Sequence, residues 1–129
     1  MKLEELSKTI DAVFESNKEA RSRNDFIKLL ENGFECLGFV NRLTNIAIDN
    51  EREYRKFEAI TLLELKQQGN KGKNGEAETR AKATDHYINM IHAHKLIELC
   101  YEMNNNAKKL ADSLNNELKA LGSNNRQHG

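Results

Sequence analysis

Three histidines and one glutamate lie close together in the segment DHYINMIHAHKLIELC. His86 and His94 are eight residues apart and Glu98 follows His94 by four, so a helix could place these three side chains on one face. His92 falls between them. A metal site needs at least three convergent ligands and groups that hold those ligands in place. The Glu-x-x-His pairs of di-iron helical bundles are missing. We therefore expect ordinary polar helix positions, with no metal and no cofactor.

Arg80 and His86 in RAKATDHY have the spacing R-x5-H. Helical ribonucleases of the HEPN class carry an arginine and a histidine at this spacing on one helix face, where both act on the scissile phosphate. The asparagine that commonly follows the arginine in that class is Ala81 here. No Ser/His/Asp or Cys/His combination indicates a nucleophile. We interpret the chain as non-enzymatic, without catalytic residues.

The segment QQGNKGKNGEAE carries three glycines and lies in a basic part of the chain. Between residues 66 and 82, two acids, Glu76 and Glu78, stand against five bases: Lys66, Lys71, Lys73, Arg80 and Lys82. Two interpretations remain open. The glycines fit a plain turn between helices, and the basic residues fit a salt-sensitive contact with the phosphates of single-stranded DNA. A nucleotide phosphate loop is excluded, because Asn74 follows the Gly-Lys pair where that motif needs Ser or Thr.

The composition indicates a helical protein with a large charged surface. Of the 129 residues 38% are hydrophobic and 31% are charged, the net charge is zero, and proline and tryptophan are absent. The lack of proline favours long uninterrupted helices. The two cysteines, Cys36 and Cys100, are predicted to be buried thiols rather than a disulfide. Because neither a signal peptide nor an apolar run of membrane-spanning length is seen, we expect a soluble cytoplasmic protein.

Hydrophobic periodicity predicts an all-α fold, with two short N-terminal helices followed by a long antiparallel helical hairpin of the coiled-coil type. The short helices would begin near Lys2 and at Asn24 or Asp25, and the region of Phe26, Phe34 and Phe39 is the best candidate for a compact core. The long helices would run over about 40–68 and 76–121. We divide the chain into an N-terminal helical subdomain (1–41), the hairpin (42–121) with its glycine-rich loop at 69–75, and a disordered tail (122–129).

One apolar stripe continues along nearly all of the second long helix. Its main members are Ile88, Leu96, Leu99, Met103, Leu110 and Leu114. A helix of this length extends beyond its shorter partner, so part of the stripe should contact the N-terminal helices or another chain. We therefore predict a homo-oligomer.

The layout resembles phage recombination mediators of the UvsY type. The opening MKLEEL, a long charged helix ending in LLELKQQG, a short basic glycine-rich connection and a second long helix ending in AKKLADSLNNELKAL are similar to that family. The resemblance implies an oligomeric accessory protein that binds single-stranded DNA and helps to load a RecA-like recombinase. Lys66, Lys71, Lys73, Arg80 and Lys82 would contact the DNA. The alternatives are a small helical protein-binding module, such as a phage-borne inhibitor of a host or defence protein, and a coiled-coil scaffold.

Overall fold

The computed structural model describes residues 2–69 and 75–128, with side chains as far as residue 122, and these residues form four helices and no strand. The helices are α1 (Leu3–Ser22), α2 (Phe26–Gln67), α3 (Glu76–Lys82) and α4 (Asp85–His128). The predicted all-α class is confirmed. Helix α4 extends to His128 and so includes most of the segment that we predicted to be a disordered tail.

The turn between α1 and α2 lies where the sequence ARSRND predicts a break. Asn24 has a positive φ of 56°, a conformation that asparagine tolerates better than most residues. The Asp25 carboxylate then accepts a hydrogen bond from the backbone N–H of Lys28 at 3.1 Å. This bond caps the first turn of α2, so the predicted helix start at Asp25 is confirmed.

The prediction of a separate second short helix is wrong, because α2 is one helix of 42 residues. It passes through both Gly33 and Gly38, and it crosses the boundary that we predicted at residues 41 and 42. Each glycine costs a helix about 1 kcal/mol relative to alanine. Gly33 is buried against α4 near Ala107, where no side chain would fit. Tertiary packing therefore outweighs the local weakness that the sequence suggested.

A short break divides the predicted helix over 76–121 into α3 and α4. Ala83 ends α3, and the Thr84 hydroxyl accepts a hydrogen bond from the Tyr87 N–H at 3.4 Å. The same hydroxyl donates to the Ala81 carbonyl at 2.6 Å. Thr84 thus satisfies backbone groups on both sides of the break, as a threonine in a capping position can.

The main core lies where α1, α2 and α4 meet. Its fully packed members are Leu6, Ile10 and Val13 from α1, Cys36, Val40 and Leu43 from α2, and Leu96 and Cys100 from α4. A second, smaller cluster joins Tyr54 of α2 to Ala81 of α3 and Met90 of α4. In the part of the chain that the structure describes, none of the helices is long and apolar enough to cross a membrane.

Candidate interaction surfaces

Part of the apolar stripe that we predicted along α4 packs into the core of the same chain. Leu96 is buried and Met103 packs against the main core. Leu99, Leu110 and Leu114 are half-buried. Ile88 is 55% exposed, so it is not part of the intramolecular core. In that part of α4 the inward side of the helix carries Met90 and Ala93, which are buried, so Ile88 lies on a different side.

A largely exposed apolar stripe, which the rest of the described chain leaves uncovered, lies instead on α2. We call it the outer stripe, and its members follow heptad spacing: Ile27, Leu30, Phe34, Leu37, Asn41, Thr44 and Ile48. Ile27 is 72% exposed, Phe34 64% and Ile48 48%. Thr44 donates its hydroxyl hydrogen to the Val40 carbonyl of its own helix at 2.8 Å, so it needs no other partner. The region of Phe26, Phe34 and Phe39 contributes to the main core as predicted, through Cys36, Val40 and Leu43. Of its three phenylalanines, Phe39 packs against that core, whereas Phe26 and Phe34 are exposed.

The buried face of α2 is offset from the outer stripe by one residue. This inner stripe consists of Gly33, Cys36, Val40, Leu43 and Ala47, all of which are buried. One residue corresponds to a rotation of about 100° around a helix axis. Helix α2 consequently has two adjacent apolar sides, and α1 and α4 cover one of them. From sequence alone, both sets look like members of a single core.

A second exposed apolar surface lies near the end of α4. Leu118 is 67% exposed and Leu121 is also exposed, while Leu114, one turn earlier, is half-buried. These three continue the spacing of the inward side of α4. They follow Ala107, which packs near Gly33 of α2. The surface is thus a continuation of the core stripe past its intramolecular partner.

Of the predicted DNA-binding residues that the structure describes, Arg80 and Lys82 each form an ion pair with a glutamate one turn earlier. Arg80 lies 2.7 Å from the Glu76 carboxylate, and Lys82 lies 2.9 Å from that of Glu78. The hydrogen bond with Glu78 raises the pKa of Lys82 and lowers that of Glu78. Lys66 is exposed in the last turn of α2. The other two predicted contacts, Lys71 and Lys73, lie outside the described residues.

Arg80 and His86 do not share one helix, because the break at Thr84 separates α3 from α4. The Arg80 guanidinium donates a hydrogen bond to the Glu76 carboxylate, whereas Nδ1 of His86 lies 3.4 Å from the Asn50 side-chain oxygen. The spacing that suggested a nuclease pair therefore does not place both side chains on one continuous helix face.

The histidines have separate surroundings. Nε2 of His92 lies 3.5 Å from the Ser7 hydroxyl of α1, and His86 faces Asn50 of α2. Among the residues with described positions, no group of three or more His, Cys, Asp or Glu side chains could hold a metal ion.

The two cysteines meet in the main core and are fully buried there. Sγ of Cys36 lies 3.3 Å from Sδ of Met103. A hydrogen bond with Cys100, and then burial, raise the pKa of the Cys36 thiol. Cys36 accordingly stays protonated at neutral pH and packs as a small apolar residue. Both cysteines are free thiols, as predicted.

No model of a protein family, no curated protein and no solved structure matches this chain.

Proposed function

We propose that this protein is a non-enzymatic helical scaffold or accessory protein that forms a homo-oligomer by packing helices of different copies together. Within each copy, α2 and α4 would form the antiparallel hairpin of coiled-coil type. The order of contacts supports this arrangement. Gly33 contacts Asn104, Cys36 contacts Met103, and Asn50 contacts His86, so the numbers rise along α2 as they fall along α4.

The observation that carries the proposal is the outer stripe of α2. Exposed apolar residues scattered singly are normal on a protein surface, but a contiguous stripe at heptad spacing is typical of a helix-packing interface. Full burial of one Leu, Ile or Phe side chain contributes about 1.5–3 kcal/mol. Ile27, Phe34 and Ile48 are each about half exposed or more, so covering the stripe would stabilise an oligomer considerably.

Light scattering over a range of concentrations tests this proposal. We expect the wild-type protein to associate, and a triple variant with Ile27→Gln, Phe34→Gln and Ile48→Gln to remain a monomer with unchanged helical circular dichroism. Ile88→Gln with Ile91→Gln is the matched control, because both residues are exposed isoleucines on α4. A wild-type protein that stays monomeric at its highest soluble concentration would rule out assembly. It would favour the alternative of a module that binds a different protein.

Binding of single-stranded DNA, with help to a RecA-like recombinase, is a second candidate. The feature that favours it is the exposed Lys66, which precedes a connection whose sequence carries Lys71 and Lys73 without an acid. Phosphate contacts weaken as salt rises, because counterions are released on binding. Fluorescence anisotropy of a labelled single strand at two salt concentrations should show this dependence. Lys66→Ala with Lys71→Ala and Lys73→Ala should weaken binding, whereas Lys8→Ala on α1 should not. Absence of binding at low salt would remove this candidate.

A further inference from the structure

We infer that Cys36 and Cys100 form a reversible disulfide, which links α2 to α4 through the core when the protein meets hydrogen peroxide. The chain has two cysteines in all, and the fold brings both into one core although they are far apart in the sequence. In the structure both are free thiols. The inference goes beyond the proposed assembly and does not depend on it, because both cysteines belong to one copy.

The sulfur atoms that would form the bond interact directly. Both cysteine side chains are fully buried, and a hydrogen bond joins the two thiols. Sγ of Cys36 also lies 3.3 Å from Sδ of Met103, which follows Cys100 by one turn of α4. The other fully packed members of this core are aliphatic. Sulfur atoms from two helices therefore meet in a region that holds no other reactive group.

The backbones of α2 and α4 are close enough for a disulfide in this region. A disulfide needs Cα atoms that are about 4.4–6.8 Å apart. A Cβ on Gly33 would lie 3.6 Å from the Asn104 Cα, so the Cα atoms of Gly33 and Asn104 are no more than about 5 Å apart. Cys36 follows Gly33 by one helical turn, and Cys100 precedes Asn104 by one. The close approach at Gly33 thus lies directly beside the cysteine pair.

A small oxidant has a route to these sulfur atoms. A groove of about 230 Å³ lies between α1 and α4, and its lining includes Phe14, Leu99 and Met103. Met103 thus contacts the groove on one side and the Cys36 thiol on the other. Hydrogen peroxide is little larger than water, so small fluctuations of these side chains would admit it. A bulky disulfide such as oxidised glutathione would need the core to open.

The two thiols differ in reactivity. Interaction with Cys36 lowers the pKa of Cys100 against the opposing effect of burial, whereas the pKa of Cys36 is raised. Because the thiolate is the nucleophile in cysteine oxidation, Cys100 is the first to react. Its thiolate attacks one oxygen of hydrogen peroxide, which forms a sulfenic acid and releases hydroxide. The hydroxide takes up the proton that Cys100 lost.

The second step forms the sulfur–sulfur bond. The Cys36 sulfur attacks the sulfenic sulfur of Cys100, and the sulfenic oxygen leaves as water with the proton of the Cys36 thiol. In sum, two thiols and one peroxide give one disulfide and two water molecules. The two thiols lose two electrons, and the peroxide gains them.

The disulfide would restrict both folding and the orientation of α2. It closes a loop of roughly 65 residues, and a long loop restricts the unfolded chain strongly. It also prevents α2 from rotating about its axis relative to α4. The inner stripe then stays towards α4, and the outer stripe stays exposed.

Oxidation of the folded wild-type protein tests the inference. Dilute protein with an equimolar amount of hydrogen peroxide should lose two hydrogen atoms in mass and remain a monomer on a nonreducing gel. It should show no free thiol in urea until dithiothreitol is added. Cys36→Ala and Cys100→Ala are matched controls, and neither should give this product. Two free thiols after treatment, with oxygen added at methionine, would overturn the inference, and so would disulfide-linked dimers alone.

Urea denaturation tests the link between the helices. The disulfide should raise the urea midpoint of the wild-type protein by about 1–2 M over that of the reduced protein. Each single variant should have the same midpoint before and after peroxide. An oxidised wild-type protein with an equal or lower midpoint would overturn the stabilising link. Failure of the protein to associate in light scattering would refute the proposed assembly and leave this inference intact.

Discussion

Gly33 and Gly38 lie five residues apart in the same helix, and the structure predicts opposite effects of replacing them with alanine. A Cβ on Gly33 would lie 2.4 Å from the Ala107 Cβ and 3.4 Å from the Met103 carbonyl oxygen. The Ala107 Cβ is fixed to its backbone, so α4 itself has to move away. Overpacking of this kind costs about 1–3 kcal/mol, while the gain in helix propensity is about 1 kcal/mol.

Movement of α4 also weakens a buried hydrogen bond. The Asn104 side chain donates to the Gly33 carbonyl oxygen at 3.2 Å, and Asn104 is almost fully buried. A buried polar group that loses its partner costs about 1–3 kcal/mol. We therefore expect Gly33→Ala to lower the free energy of unfolding by about 1–3 kcal/mol. Gly38→Ala meets no atom and should raise it by up to about 1 kcal/mol.

Urea denaturation followed by circular dichroism measures both effects. The protein should be dilute enough to be monomeric by light scattering, so that association does not contribute. Adding Ala107→Gly to Gly33→Ala removes the clash and should return the stability to about the wild-type value, because the helix-propensity changes cancel. A Gly33→Ala protein at least as stable as wild type would refute the close packing of α2 on α4.

Three further predictions concern buried side chains. The hydrogen bond between the two thiols raises the pKa of Cys36 from 9.0 and lowers that of Cys100, and burial raises both. Because the two effects of the hydrogen bond oppose each other, burial should make the free energy of unfolding fall above pH 9.0; urea titrations on either side of that pH should show a smaller fall for the double variant with Cys36→Val and Cys100→Val. Tyr54 is buried, so Tyr54→Ala should cost about 3 kcal/mol in thermal or urea unfolding, and a near-neutral result would contradict the second core cluster. Asn104→Ala removes a buried hydrogen bond to the Gly33 carbonyl, which still accepts a bond within α2, and should cost about 0.5–1.5 kcal/mol; equal stability would show that this bond contributes nothing to the fold.

Local chemistry made some boundaries predictable from sequence. Asn24 and Asp25 mark the start of α2. Asparagine tolerates the positive φ of the turn, and the aspartate carboxylate caps the first turn of the helix. The break at Thr84 depends on one hydroxyl bonding in two directions, a signal too weak to stand out in a long periodic segment. A glycine by itself weakens a helix, and only the position of Ala107 in space explains why α2 continues through Gly33.

It was much harder to predict which apolar face of a helix is buried and which is exposed. Periodicity shows that residues share a face of a helix, but it does not show what covers that face. Phe34 and Cys36 belong to the same apolar segment, yet one is mostly exposed and the other is fully buried. The same limit applies to Arg80 and Lys82, because neighbouring glutamates one turn away pair with both.

The one-residue offset between the two stripes of α2 also has a consequence for the folding landscape. Rotation of α2 by about 100° would turn the outer stripe towards α4 and so present an almost equally apolar side to it. In that competing register Phe34 would take the place of Gly33 opposite Ala107, where even one methyl group clashes. Asn104 would also lose the Gly33 carbonyl. Gly33 and Asn104 thus select one of two rotational isomers of the same helix, in addition to stabilising the fold.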